Sequence, residues 1–215
     1  MTSGEPTRAP DSAGLTIATF CRVEGSADNA MAAARITSQL RQTGVPVNLI
    51  VRGVPQLMLE RVQLFLSDAA AGPVDVRPYT TGIAEIMADL RDADVVVVPV
   101  RATEFDDAAL AATVAGVPLL VPDISAIGLY LVDRYPADLT GTMLIHQQVG
   151  EPVPLDRWVA VLRQLYADMP ATRHRAAELQ RIVHQHNRIP EAVEASLAMI
   201  DQATRTARNL PAAHS

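Results

Sequence analysis

Residues Asp94 to Val100 read DVVVVPV, a run apolar almost throughout and broken near its end by a proline. Such a segment suits a β-strand covered on both faces, as in a parallel sheet. Similar short runs, bounded by turn residues, lie outward from it in both directions. They are LTIATF at Leu15–Phe20, VPVNLIV at Val45–Val51, VDVRP at Val74–Pro78, PLLVP at Pro118–Pro122 and TMLIH at Thr142–His146. Successive runs start roughly 20 to 30 residues apart, which leaves room for a crossover helix each time.

The intervening segments carry the helical period. Met31, Ala32, Ile36 and Leu40 recur at helical spacing between Asn29 and Thr43, with Gly44 as the stop. Between Gln56 and Asp68, Leu57, Leu59, Val62, Leu64 and Leu66 form a broad apolar surface. Ile83, Ile86, Met87 and Leu90 mark a third helix, and Asp106–Ala115 and Ser125–Val132 two short ones. Six alternations predict an α/β fold: a single doubly wound, mainly parallel six-stranded Rossmann-like sheet with helices on both faces.

After His146 the pattern is helical only. Leu155–Asp168 puts Trp158, Val161, Leu162 and Leu165 on one side, Pro170 serves as a break, and Ala171–His186 follows. A last helix is expected over Pro190–Asn209, where Val193, Leu197, Ile200 and Ala207 share a stripe and Glu194, Asp201, Arg205 and Arg208 lie outside it. The expected organisation is a disordered leader over 1–14, an α/β domain over 15–186, and a carboxyl-terminal helix and tail over 187–215. That tail packs on its own domain or on a partner.

Composition narrows the chemistry. The chain has 215 residues, 49% hydrophobic and 20% charged, enough apolar content to build a core. No apolar run reaches the ~18 residues of a membrane span and no signal-like opening is present, so a cytoplasmic protein is expected. A net charge of -6 gives no general attraction to nucleic acid. The single cysteine, Cys21, leaves no disulfide framework or multi-cysteine zinc site. All 18 basic residues are arginine, so no step can use a lysine. His184 and His186 are two apart and face different sides of a helix, which argues against a metal; no cofactor is expected.

Open parallel sheets bind ligands at the carboxyl ends of their strands, where the strand order reverses. Arg22, Arg52 and Arg101 fall at such ends, and arginine forks suit phosphate. Glu24, Glu104, Asp106, Asp107 and Asp123 occupy the same rim and compete for them. The first strand runs into Arg22-Val-Glu-Gly25 rather than a glycine triad, against a nicotinamide or flavin site. Arg22 beside Cys21 could lower the thiol pKa, but a lone cysteine there more often behaves as a small buried hydrophobe.

The stretch ADVVVVP at 93–99, then Glu104-Phe105, then AGVPLLV at 115–121 resembles the carboxyl-terminal, donor-binding domain of GT-B glycosyltransferases of the retaining family-four type. Gly141-Thr-Met-Leu-Ile is similar to that domain's later strand, and Ser26-Ala-Asp28 with the alanine-rich helix to its opening. The resemblance covers roughly Leu15 to His186. It implies an arginine–lysine clamp on the donor diphosphate, and Arg22 fits the arginine while Val23-Glu24 stand where the lysine would be. It implies two glutamates for the donor sugar and the ribose. Thr103 and Ala111 occupy those positions, with Glu104 one place from the first. Gly116 and Pro118 match its structural loop, and Asp106 replaces a glycine that approaches the phosphate, followed by Asp107.

These departures have an energetic consequence. A helix amino terminus welcomes one anion, and Asp106 and Asp107 can take that place themselves. Their repulsion of a diphosphate at ~4 Å amounts to ~1–4 kcal/mol. The lost lysine and glutamate each remove a further ~1.5–3 kcal/mol. The resemblance also implies a separate acceptor domain, which residues 1–14 are too short to supply.

Three readings follow. The first is a glycosyltransferase-like domain with a degenerate donor site, acting as a non-catalytic binding or scaffolding module. The second is the donor-binding half of an active nucleotide-sugar glycosyltransferase, completed by a second Rossmann-like domain. The third is an enzyme or sensor for an anionic metabolite held by Arg22, Arg52 and Arg101. Donor or anion contacts are expected from Arg22, Arg52, Arg101, Thr103 and Glu104, and no residue is assigned a catalytic role. Expected partners are a second Rossmann-like domain, a second copy through the carboxyl-terminal helix, and a nucleotide-sugar.

Overall fold

A computed structural model describes residues 14–21, 27–99, 107–141 and 143–186 of the chain. The strands are β1 (Leu15–Phe20), β2 (Val47–Val54), β3 (Asp75–Pro78), β4 (Val95–Val97), β5 (Leu119–Pro122) and β6 (Leu144–Ile145). The helices are α1 (Ala27–Gln42), α2 (Leu59–Ala69), α3 (Ile83–Asp92), α4 (Asp107–Ala115), α5 (Ala126–Arg134), α6 (Ala137–Thr140), α7 (Leu155–Ala167) and α8 (Met169–His186). All six strands pair in parallel, in the order β3-β2-β1-β4-β5-β6. This is the doubly wound sheet that the alternation predicts.

Strand periodicity divides the interior in two. Leu15, Ile17, Val47, Leu49, Val51, Val95, Val97 and Leu120 turn to one face and pack with α1, α2 and α7 around the fully buried Trp158. Ala18, Ile50, Val96, Val98, Leu119 and Val121 turn to the other, under α3, α4, α5 and α8. Runs apolar throughout are what a sheet covered on both faces needs.

The boundaries differ from the sequence expectation where hydrogen bonds decide. The second strand starts at Val47 rather than Val45, because the Val45 N–H donates to Leu40 O (3.2 Å) and closes α1. Pro170 does not break the helical region. The interruption is at Asp168 (φ -133, ψ 59), and Pro170 sits in the first turn of α8, where a missing N–H costs nothing. The short helix α6 was not anticipated; it is only four residues long, too short for a period to show. The expected leader and the helix over 190–209 lie outside the described residues.

Two charged contacts fix α8 and the sheet ends. At the foot of β4, Asp94 accepts from the Thr16 N–H (2.8 Å) and from Arg173 of α8 (2.6 Å). At the opposite end, Asp123 meets His146 Nδ1 at 2.8 Å and accepts from the Gln147 N–H (2.9 Å), tying the tops of β5 and β6 together.

Candidate functional site

The strand order reverses between β1 and β4, so the crevice lies beyond Phe20-Cys21 on one side and Val98-Pro99 on the other. Arg22, Arg101, Thr103 and Glu104, which the sequence places on the two loops leaving these strands, lie outside the described residues, as does Asp106. The described walls of the crevice are therefore the strand ends, the start of α4 and the neighbouring end of β2.

The β2 end shows what its arginine does. Arg52 Nε and Nη2 form a two-pronged pair with Asp89 of α3 (2.5 and 2.7 Å), and Nη1 donates to Pro78 O at 3.0 Å. Arg77 also bonds Asp89, and it reaches Asp75 at 2.6 Å. Burial alone would lower the Arg77 pKa, but its hydrogen bonds and charge attraction to Asp75 and Asp89 outweigh this and raise it. Asp89 is fully buried and held between two guanidiniums. Arg52 thus meets an anion inside the chain, and that anion, Asp89, was not among the five rim acids singled out from the sequence. Asp89 escaped notice because it sits mid-helix and reaches the rim only through the fold.

Cys21 is also spoken for. Its N–H donates to Arg52 O (2.8 Å), its thiol lies 3.2 Å from the same oxygen, and burial pushes its pKa up to about 11. A thiol so placed stays protonated at neutral pH and packs against the first core, as a small hydrophobe does. This contact depends on Gly53, whose φ is +115. A Cβ there would fall on the Cys21 carbonyl oxygen, and the β2–β3 register shifts between Arg52 and Val54 at this point.

On the β4 side, α4 opens with Asp107 in its first turn, so a carboxylate stands at the helix end that would favour an anionic ligand. Ala111, at the implied ribose-glutamate position, packs against the second core. Gly116 ends α4 at the other extremity. Val117 N–H donates to Ala112 O (2.9 Å) and Gly116 N–H to Thr113 O (3.2 Å), with φ +71 at Gly116. Pro118 O accepts from the Val96 N–H (2.8 Å). Both residues lie at the foot of the sheet, away from the strand ends. Among the described residues no group of three or more His, Cys, Asp or Glu is placed to hold a metal ion, and no helix is long and apolar enough to cross a membrane.

A doubly wound sheet whose crevice opens between β1 and β4 defines the class as Rossmann-like, and comparison with known proteins narrows it to the GT-B type. Residues 1–197 match the family described as "Family 4 Glycosyltransferase in conflict systems", and the chain belongs to that family. No curated protein matches it. Among solved structures it is similar to the catalytic domain of cholesterol-α-glucosyltransferase from Helicobacter pylori, at 13% identity and TM-score 0.59, covering 80% of this chain and 99% of that one. The α,α-trehalose 6-phosphate synthase of Burkholderia multivorans matches at 16% identity and TM-score 0.58, over 94% of this chain and 46% of that one. Anabaena HepE in complex with UDP matches at 15% identity and TM-score 0.57, over 89% of this chain and 49% of that one. The chain spans less than half the length of these last two. Likeness at such identities shows a shared fold.

Proposed function

We propose that this chain is the donor-side module of a glycosyltransferase, and that nucleoside diphosphate sugars are the ligand class of the crevice between β1 and β4. The observation that carries the reading is the reversal of strand order there, with Arg22 on one departing loop and Arg101, Thr103 and Glu104 on the other in the sequence. Family membership and the UDP bound by the Anabaena relative support it. Arg22 and Arg101 would take the diphosphate in place of the missing lysine, and Glu104 the sugar hydroxyls. Two of the structures of like fold are about twice as long as this chain, and on this reading the acceptor side falls to a second Rossmann-like domain.

A second reading, a binding or scaffolding module without transfer, is favoured by one specific observation: Asp107 heads α4, and Ala111 supplies no acid one turn further on. Titration calorimetry of the full chain with UDP-, GDP- and ADP-sugars separates the two. Saturable binding that is lost in Arg22→Ala, Arg101→Ala and Glu104→Ala supports the donor module. No heat from any of them up to millimolar ligand overturns it in favour of the second reading.

A further inference from the structure

We propose that Arg52, locked by Asp89, is a positioning residue for the crevice: its backbone oxygen fixes Cys21, where β1 opens onto the ligand. The inference rests on the reading that nucleoside diphosphate sugars bind there. At this point β2 leaves its regular ladder. The register with β3 shifts between Arg52 and Val54, and Gly53, at φ +115, is the residue type least able to hold one conformation by itself. Bulges of this kind recur beside active sites, where they aim a neighbouring group. What restrains the backbone here is the Arg52 side chain. Nε and Nη2 bind Asp89 of α3 at 2.5 and 2.7 Å, and Nη1 donates to Pro78 O of β3 at 3.0 Å. The planar guanidinium is therefore fixed on a helix and a strand together.

Arg52 O in turn accepts twice from one residue, from the Cys21 N–H at 2.8 Å and from its thiol at 3.2 Å. Cys21 stands just past the last residue of β1, on the strand where the sheet order reverses. Asp89, Arg52 and Cys21 thus form one chain of contacts from α3 to the crevice wall. Stability alone does not account for its first link. The Asp89 side chain has no exposed surface, and Ile86, Met87 and Leu90 of the same helix pack in the second core. Charges taken from water in such a place regain little of their desolvation cost, and apolar residues of similar size commonly serve stability as well or better. A two-pronged ion pair supplies direction, which an apolar contact does not.

Cys21 is the single cysteine of the chain, so its labelling by iodoacetamide reads the end of β1 without any ligand. In the full chain, Arg52→Leu/Asp89→Leu replaces the pair with apolar side chains and should melt close to the unaltered protein. Its Cys21 should nevertheless react about tenfold faster or more, and calorimetry should show about tenfold or more weaker binding of whichever UDP-, GDP- or ADP-sugar the unaltered chain binds best. Arg52→Lys keeps the charge and loses the fork, and as the milder variant it should move both readouts in the same direction. If labelling or affinity stays unchanged in both variants, the proposal falls and the nucleotide-sugar reading stands. If both variants lose binding only in step with their melting temperature, the pair serves stability and the proposal falls as well. An unaltered chain that binds none of the three sugar nucleotide classes overturns the nucleotide-sugar reading and this proposal with it.

Discussion

At the scale of single residues, the fold assigns charges that the sequence leaves open. Arg52 reads as a rim cation open either to a ligand or to a nearby acid, and in the fold it is bonded through two nitrogens to Asp89, which Arg77 shares. Removing that acid takes the buried anion from both guanidiniums, although Arg77 keeps the exposed Asp75, and this is the costly way to break such a cluster. Asp89→Ala should lose ~3–5 kcal/mol in urea unfolding. Cys21 gives a second expectation. An unperturbed thiol ionises near 9.0 and the folded one near 11, so in mild alkali the unfolded chain gives up its proton first. Native stability should then fall as pH rises from about 9 towards about 11, and Cys21→Ser should flatten that decline. A decline of equal slope in the variant would show that another group is responsible.

At the scale of elements, most strands and helices were legible because both faces of the sheet are covered. Apolar runs such as Val95–Val98 and Leu119–Val121 have no exposed side to blur them. Elements whose ends depend on a hydrogen bond were less legible, as at Val45 and Pro170. Glycine roles were the least legible, since they depend on what approaches from elsewhere. Gly53 and Gly116 both have positive φ, but the obstacle to a Cβ is the Cys21 backbone at the first and the end of the Gln180 side chain at the second. Gly116→Ala should therefore cost less, ~1–2 kcal/mol for the strain of a left-handed residue and ~1 kcal/mol for the Gln180 bond to Val114 O that is given up when the side chain swings away. Gly53→Ala should exceed ~4 kcal/mol, because the strand end of β1 cannot move without losing its bond to Arg52 O. Thermal or urea unfolding of the two variants side by side reads the difference.

At the scale of the whole molecule, the topology sets the place of the crevice, where the strand order reverses. The strand-end crevice between β1 and β4 is where a nucleotide-sugar is proposed to bind, away from the charged contacts of Asp94 that hold α8 at the foot of the sheet. If the crevice takes a nucleotide-sugar, the melting temperature should rise with the concentration of that ligand, because binding only the folded state stabilises it by mass action. A melting temperature independent of concentration over a hundredfold range, read by differential scanning fluorimetry, would contradict this.

The order of strands and helices, the two-faced core and the likeness to a glycosyltransferase half were written in local pattern, because burial on both faces prints itself on consecutive residues. The strand-end pattern gave Arg22 and Arg101, and the resemblance Arg22, Thr103 and Glu104, as expected crevice residues by position alone. What the tertiary structure decided is which charges are already spent and which apolar residues find no partner. Asp89 reaches Arg52 across 37 residues, and Leu64 and Phe65 of an otherwise ordinary amphipathic helix turn outward. Such facts depend on distances between segments remote in the chain, and no local period encodes them.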